Sequence, residues 1–296
     1  MKKVELYSDN ININEKDIAI ILGYFDGVHL GHKEIIQKAI NKTNLDLAIL
    51  TFDKPVSTFI NNGKSKEVLT SLDDKFSIIN RYGVDYFYVQ HIDEDFLSMS
   101  AIEFIDYLKK LNVKEIYVGE DYKFGKNASG DIKLLKKYFD VFVINCVTFK
   151  GKKISTQTIL NEIKNGHMAY SNSLMGQNYK VSGIVVEGHQ NGSRIGIKTA
   201  NIKLNDDYVI PRYGVYKVIT HIEGSSYRSL ANVGVHPTID EENSPLIEVH
   251  IPNIDIDFYG KNIQVEFLDF IRPEMRFKSV QELVSQIKKD LTLLDK

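Results

Sequence analysis

From residue 18 onward, short apolar runs alternate with longer segments of helical period. The runs DIAIIL from Asp17, LDLAILTF from Leu45, YFYVQ from Tyr86, EIYVGE from Glu115 and VFVINCVTF from Val141 predict strands. Between them the spacing predicts helices over 31–43, 73–82, 100–111 and 131–138, with Ser100 and Glu103 placed as a capping box. A further helix from Thr156 to Lys164 ends at Gly166 as a glycine C-cap. Strand and helix in alternation build an α/β domain, a doubly wound parallel sheet with helices on its faces. After about residue 180 the texture changes to alternating strands: YKVSGIVVEG from Tyr179, GVYKVITHIEG from Gly214, SYRSLANVG from Ser226, LIEVHIPN from Leu246 and KNIQVEFLDF from Lys261. These predict a small antiparallel sheet or β-barrel. A terminal helix over 280–294 carries Val280, Leu283, Val284 and Ile287 as a stripe to pack on it. Two domains follow, 1–178 and 179–296, with the junction near 167–180.

Composition narrows the class. The 296 residues carry 37 Lys+Arg against 39 Asp+Glu, a formal charge of −2, which excludes a basic nucleic-acid stripe over the whole protein. With 43% hydrophobic and 26% charged residues, the chain has enough apolar content for a sizeable core. No run reaches the roughly 18 consecutive apolar residues of a membrane helix, and the first residues lack the apolar region of a signal peptide. A cytoplasmic protein with no nucleic-acid or membrane partner is expected; oligomeric state has no signature here. Cys146 is the single cysteine, so no intrachain disulfide forms, and its apolar run predicts a packed core thiol.

Directly after the first strand comes GYFDGVHLGHKEII, residues 23–36, with His29 and His32 around Gly31 at a helix start. Free N–H groups and the helix dipole attract anions, glycines let phosphate approach, and the imidazoles can donate hydrogen bonds to charge on phosphorus. A lone HxGH is ordinarily a turn with surface histidines; the preceding Phe25, Asp26 and Gly27, with Gly23, tip the balance. A second loop, Gly119 to Gly125, again follows a strand and puts Asp121 and Lys123 at the same sheet edge, where α/β ligands bind.

The second half has its own cluster. VVEGHQNGSRIGIKTANI, residues 185–202, combines Gly188, Gly192 and Gly196 with Arg194, a set suited to ATP phosphates. Thr199 and Asn201, on alternate positions of an extended segment, can hold Mg²⁺ through oxygen. In LIEVHI, Ile247, Val249 and Ile251 take one face and leave Glu248 and His250 on the other. A carboxylate on a rigid strand beside a nucleotide loop can accept a proton from a substrate hydroxyl.

GYFDGVHLGH and VGEDYKFG, with LTSLDDK, GVDY and SAIEFI, resemble the adenylyltransferase half of the bacterial bifunctional riboflavin kinase/FMN adenylyltransferase (FAD synthetase) family. The stretches Gly196 to Asn201, Asn232 to Thr238, Glu248-Val-His250, Tyr259-Gly260 and Arg272 to Phe277 resemble its riboflavin kinase module. The resemblance implies a nucleotidyltransferase-like domain that transfers AMP from ATP to FMN and releases pyrophosphate. His29 and His32 are then the catalytic donors, and Gly23, Phe25, Asp26, Gly27, Gly31, Asp121, Gly125, Ser155 and Thr156 line the nucleotide. It also implies a six-stranded barrel in which MgATP phosphorylates riboflavin. There Glu248 is the base, Thr199 and Asn201 hold Mg²⁺, Gly188, Gly192, Arg194 and Gly196 contact nucleotide, and Asn232, Thr238, Arg272, Glu274 and Phe277 contact flavin. Mg²⁺ is the implied cofactor and ATP the co-substrate; riboflavin, FMN and FAD are the other small-molecule partners. The chain departs from the family pattern at Leu160, where ISSTxIR has arginine, at Thr51 to Pro55, which lacks a histidine, and at Lys198, where the barrel motif has proline. Lys126, Lys152 and Lys153 are alternative cations for the first site. Beside the bifunctional enzyme stand a riboflavin kinase with a weak first site and a flavin-sensing regulator; Thr199, Asn201 and Glu248 argue against the regulator.

Overall fold

The computed structural model describes residues 1–8, 16–56, 67–186, 198–235, 245–254 and 258–294. The chain divides into two compact units, Met1–Lys66 with Thr70–Ser155, and Glu67–Leu69 with Thr156–Lys296.

In the first unit the strands are β1 (Lys2–Leu6), β2 (Ile18–Leu22), β3 (Asp46–Phe52), β4 (Tyr86–Gln90), β5 (Val113–Gly119), the short β6 (Lys123–Phe124) and β7 (Gly130–Asp131), β8 (Asp140–Ile144), β9 (Thr148–Phe149) and β10 (Lys152–Lys153). Six of them form one sheet in the order β1-β4-β3-β2-β5-β8, every pairing parallel. Helices α1 (Leu30–Lys42), α2 (Leu72–Asn80), α3 (Glu94–Ser98), α4 (Ala101–Lys110) and α5 (Ile132–Leu135) intervene. Both sheet faces are covered, so β2 is apolar throughout: Ile18, Ile20 and Leu22 join a core with Phe104 and Leu108, while Ala19 and Ile21 join another with Ile36 and Ala39. Ser100 and Glu103 form the expected capping box, and Ser71 with Asp74 forms a second at α2.

Two details differ from expectation. β1 was not predicted, because only Leu6 of its five residues is buried and an edge strand needs one apolar contact rather than an alternating face. The run from Val141 is not one strand: β8 ends at Ile144, and β9 pairs back on β10. Cys146 falls in the break and is half-buried instead of packed in the core. A hydrogen bond with Glu120 and partial burial push its thiol pKa up, against the opposing pull of Lys153.

The second unit contains helices α6 (Thr156–Lys164) and α7 (Met168–Met175), strands β11 (Tyr179–Val186), β12 (Ala200–Leu204), β13 (Gly214–Ile222), β14 (Ser225–Val235), β15 (Pro245–His250) and β16 (Asn262–Arg272), and helix α8 (Val280–Leu291). The six strands close an antiparallel barrel in the order β11-β12-β15-β14-β13-β16. By compactness the division falls between Ser155 and Thr156, ahead of the 178/179 that the change of texture suggested. The reason is that α7 is tied to the barrel: the Asn172 amide donates to the Phe267 carbonyl at 2.9 Å and accepts from the Tyr179 N–H at 2.8 Å. Glu67–Leu69 joins this unit through Val68, whose N–H donates to the Asp207 carbonyl and whose carbonyl accepts from the Val209 N–H, both at 2.9 Å. α8 docks by its C-terminal half. Ile287, Leu291 and Leu294 pack on Val215 and Leu230, and Arg272 Nε and Nη2 lie 2.9 and 2.8 Å from Asp290 Oδ2. Val280, expected to open the buried stripe, is 51% exposed at the undocked end.

Candidate functional site

After β2 the chain enters a turn of strained backbone, with Phe25, Gly27 and Val28 at φ of 55°, 75° and 38°. Gly23 makes room for the Phe25 ring, since a Cβ there would sit 3.1 Å from it. Three contacts hold the turn. The Thr51 hydroxyl, at the end of β3, donates to the Tyr24 carbonyl at 2.8 Å. Thr70 accepts from the Gly27 N–H at 2.9 Å through its hydroxyl and donates its own N–H to Asp26 Oδ1 at 3.1 Å. Lys75 of α2 places its Nζ 3.5 Å from the centroid of the Tyr24 ring. Asp26 and Gly27 are buried and support the turn.

His29 is the N-cap of α1. Its Nδ1 accepts from the N–H groups of Gly31 at 3.1 Å and His32 at 3.4 Å, so these amides, expected to be free for phosphate, are already engaged. Gly31 is glycine because a Cβ would lie 3.0 Å from the His29 ring. With Nδ1 accepting, the imidazole proton sits on Nε2. Burial, with a smaller contribution from Lys33, pulls the pKa of His29 down to about 4 against a backbone hydrogen bond that raises it, so the ring is neutral at pH 7. His32 stacks on His29 with ring centroids 3.7 Å apart and meets the edge of Phe25 at 5.1 Å. Burial, His29 and Lys75 hold its pKa well below the ordinary value. Its Nδ1 is buried with no hydrogen-bond partner in the structure, an orphaned polar atom of the kind a bound polar group satisfies. The pair is thus a set of neutral donors and acceptors at the carboxyl end of β2.

Asp121, after β5, accepts from Lys153 Nζ at 2.7 Å, and that bond holds its carboxyl below the usual range. Of the alternative cations, Lys153 is the one engaged here. Gly125 has a structural reason of its own: at φ 71° a Cβ would lie 2.8 Å from the Ala101 N. Ser155 closes the first unit and Thr156 opens α6. Leu160, at the family's arginine position, is 6% exposed in that helix, so the position is filled by packing.

In the barrel, Asn201 of β12 pairs with Glu248 of β15, which pairs with Asn232 of β14. Paired residues share a face, so the three stand in one lateral row. The flanking row of Ile202, Ile247 and Val233 fills the barrel core, so the alternation puts Asn201, Glu248 and Asn232 on the other face of the wall, where Asn201 is itself buried and Glu248 and Asn232 are half-buried. His250, two residues on, donates from Nδ1 to the Lys198 carbonyl at 2.8 Å and so anchors the residue before Thr199. Lys198 stands where the barrel motif has proline, and this bond fixes its carbonyl. Glu274 approaches the row: its Oε1 lies 2.5 Å from where a Gly234 Cβ would be, two residues from Asn232. Arg272, expected at the flavin, also pairs with Asp290 of α8 and donates from Nη1 to the Pro273 carbonyl at 3.1 Å. Phe277 lies 5.9 Å from that guanidinium. Gly188, Gly192, Arg194, Gly196 and Thr238 lie outside the described residues.

Sequence reasoning overlooked Thr51, Thr70, Lys75, Gly234 and His250 as supports. LTSLDDK, which contains Thr70 and Lys75, was noticed only as a resemblance, and nothing in it points to a partner some 44 residues earlier.

Two family models match the chain, FAD synthetase over residues 11–160 and riboflavin kinase over 175–296. The bifunctional riboflavin kinase/FMN adenylyltransferase of Listeria monocytogenes is 36% identical over 278 residues, covering 91% of this chain and 88% of its own length. That of Bacillus subtilis is 35% identical over 303 residues, covering 98% and 96%, and that of Escherichia coli K12 is 34% identical over 288 residues, covering 93% and 91%. A crystal structure described as a macrolide-efflux protein from Streptococcus pneumoniae matches with a TM-score of 0.91 at 31% identity, over 100% of this chain and 99% of that one. Among the described residues of this chain, no helix is long and apolar enough to cross a membrane.

Proposed function

The chain belongs to the bifunctional riboflavin kinase/FMN adenylyltransferase family, and from this premise we propose which of its residues carry each reaction. The enzyme phosphorylates riboflavin to FMN and adenylylates FMN to FAD, with ATP as donor in both steps.

FMN formation belongs to the barrel unit. Glu248 accepts the proton of the riboflavin 5′ hydroxyl as that oxygen attacks the γ-phosphorus of ATP and ADP leaves. The in-register row Asn201, Glu248, Asn232 is the observation that carries this reading. Thr199 and Asn201 offer a hydroxyl and an amide oxygen next to that carboxylate, the hard oxygen donors that suit Mg²⁺. When bound with ATP, the ion neutralises charge on the phosphates. His250, through the Lys198 carbonyl, orients this pair. Asn232 and Glu274 face the flavin, with Thr238 and Phe277 as further contacts. Glu248→Gln keeps the shape and removes the base. We expect FMN formation to fall by about 100-fold or more while FMN supplied from outside is still converted to FAD. Unchanged kinase turnover in that variant would remove Glu248 from the mechanism.

FAD formation belongs to the first unit. An FMN phosphate oxygen attacks the α-phosphorus of ATP in line and pyrophosphate leaves, so the step needs positioned donors and no protein nucleophile. His29 donates from Nε2 to a phosphate oxygen, and His32 presents its buried Nδ1 beside it. Both rings donate without carrying a charge, a consequence of their burial. Asp121, Gly125 and Ser155 complete the nucleotide contacts in this assignment. A cytoplasmic location fits the ATP dependence and the lone, unbridged Cys146.

A further inference from the structure

The Phe25 to Val28 turn holds left-handed φ values at consecutive or near-consecutive residues, two of which carry bulky side chains. Such backbone is strained and persists only where its surroundings over-determine it. Thr51 and Thr70 fix the turn through its carbonyl, amide and carboxylate groups. The third support is different in kind. Lys75 is 2% exposed, a degree of burial that lysine rarely adopts without a reason, and its ammonium faces the Tyr24 ring at 3.5 Å. We propose that Lys75 is a positioning residue for adenylyl transfer, which fixes the Tyr24 ring from beneath and thereby holds the turn that aims His29 and His32.

Local structure supports this role. The Ser71 and Asp74 capping box opens α2 one turn before Lys75, and the Lys75 N–H bonds the Ser71 carbonyl at 3.0 Å, so the backbone under the ammonium is anchored. Thr70, one residue before that cap, already grips Asp26 and Gly27. One helix start therefore supports the turn at three residues, Tyr24 by a cation and Asp26 and Gly27 by hydrogen bonds. The same ammonium acts on His32 electrostatically and disfavours a second positive charge there. A hydrophobe in place of Lys75 fills the space without gripping the ring face, and the histidines lose their aim.

The inference rests on assigning FAD formation to the first unit, so the experiment measures both. Wild type, Lys75→Met, Lys75→Arg, Tyr24→Leu and the Tyr24→Leu/Lys75→Met double variant are assayed for FMN-to-FAD and riboflavin-to-FMN conversion. A wild type that makes no FAD defeats the assignment itself. Given wild-type activity, Lys75→Met lowers kcat for adenylyl transfer about 10- to 100-fold, with KM for ATP within about threefold and kinase turnover unchanged. Lys75→Arg, which keeps a cation over the ring, recovers most of the loss. Tyr24→Leu produces a similar loss, and the double variant adds little to either single one. A Lys75→Met protein with kcat within twofold of wild type overturns the proposal, as does a loss confined to KM or a double variant whose losses multiply. Should Lys75→Met not fold, Tyr24→Leu decides: unchanged kcat there overturns the proposal, and a kcat loss at constant KM supports it.

Discussion

His29 joins two functions in one ring. Its Nδ1 caps α1, which leaves Nε2–H as the donor proposed to meet substrate. The same burial that makes it a neutral donor makes it a liability in acid. Its folded pKa of about 4 lies below the ordinary 6.5, so between those values the unfolded chain binds more protons than the native one. Stability is therefore fully present above about pH 6.5 and declines as pH falls toward 4, by about 3 kcal/mol for this group. We expect the urea midpoint of the first unit to drop across that window, and His29→Gln, which keeps an acceptor for the helix amides but has no such titration, to flatten the drop. A wild-type midpoint independent of pH from 7 to 4 contradicts the assignment of His29 as a buried neutral ring. The histidines themselves were legible in sequence, because a HxGH after a strand is a local pattern. Their chemistry was not: the sequence suggested that the helix amides were open to phosphate, and only the fold reveals that His29 occupies two of them.

Strands and helices were legible wherever one periodicity ran unbroken. β2 and β3 read as apolar runs because both faces of the sheet are covered, and β15 read as alternation because one face of the barrel wall points outward. β12 carries Asn201 and was expected as an extended segment only from its chemistry. β1, the split at Cys146 and the docking of α8 were not legible, since each depends on partners distant in sequence. In α8, spacing alone proposed a stripe from Val280 onward, whereas the contact is organised at the other end by Asp290 and Arg272, both largely buried. Removing one partner of such a pair leaves an uncompensated charge. Asp290→Ala is thus expected to destabilise the barrel unit by about 3 kcal/mol or more, measured by thermal or urea unfolding, with loss of kinase activity following loss of folding. A change below about 1 kcal/mol would return Arg272 to the role at the flavin that its motif suggested.

The molecule links two phosphate chemistries that use different devices. The barrel sets a carboxylate between two amides in one row of its wall, the group proposed to take a proton from a hydroxyl. The parallel sheet sets uncharged imidazoles on a strained turn, the groups proposed to stabilise charge on a transferring group. Neither needs a covalent intermediate, and the product of the first is the substrate of the second. Leu160, at the position where the resembled motif has arginine, is buried. The most direct measurement is to incubate the purified protein with riboflavin and excess MgATP and to follow riboflavin, FMN, FAD, ADP and pyrophosphate over time. The account predicts that FMN rises first with one ADP formed for each, and that FAD follows with one pyrophosphate for each. A reaction that stops at FMN, with ADP but no pyrophosphate, would contradict it.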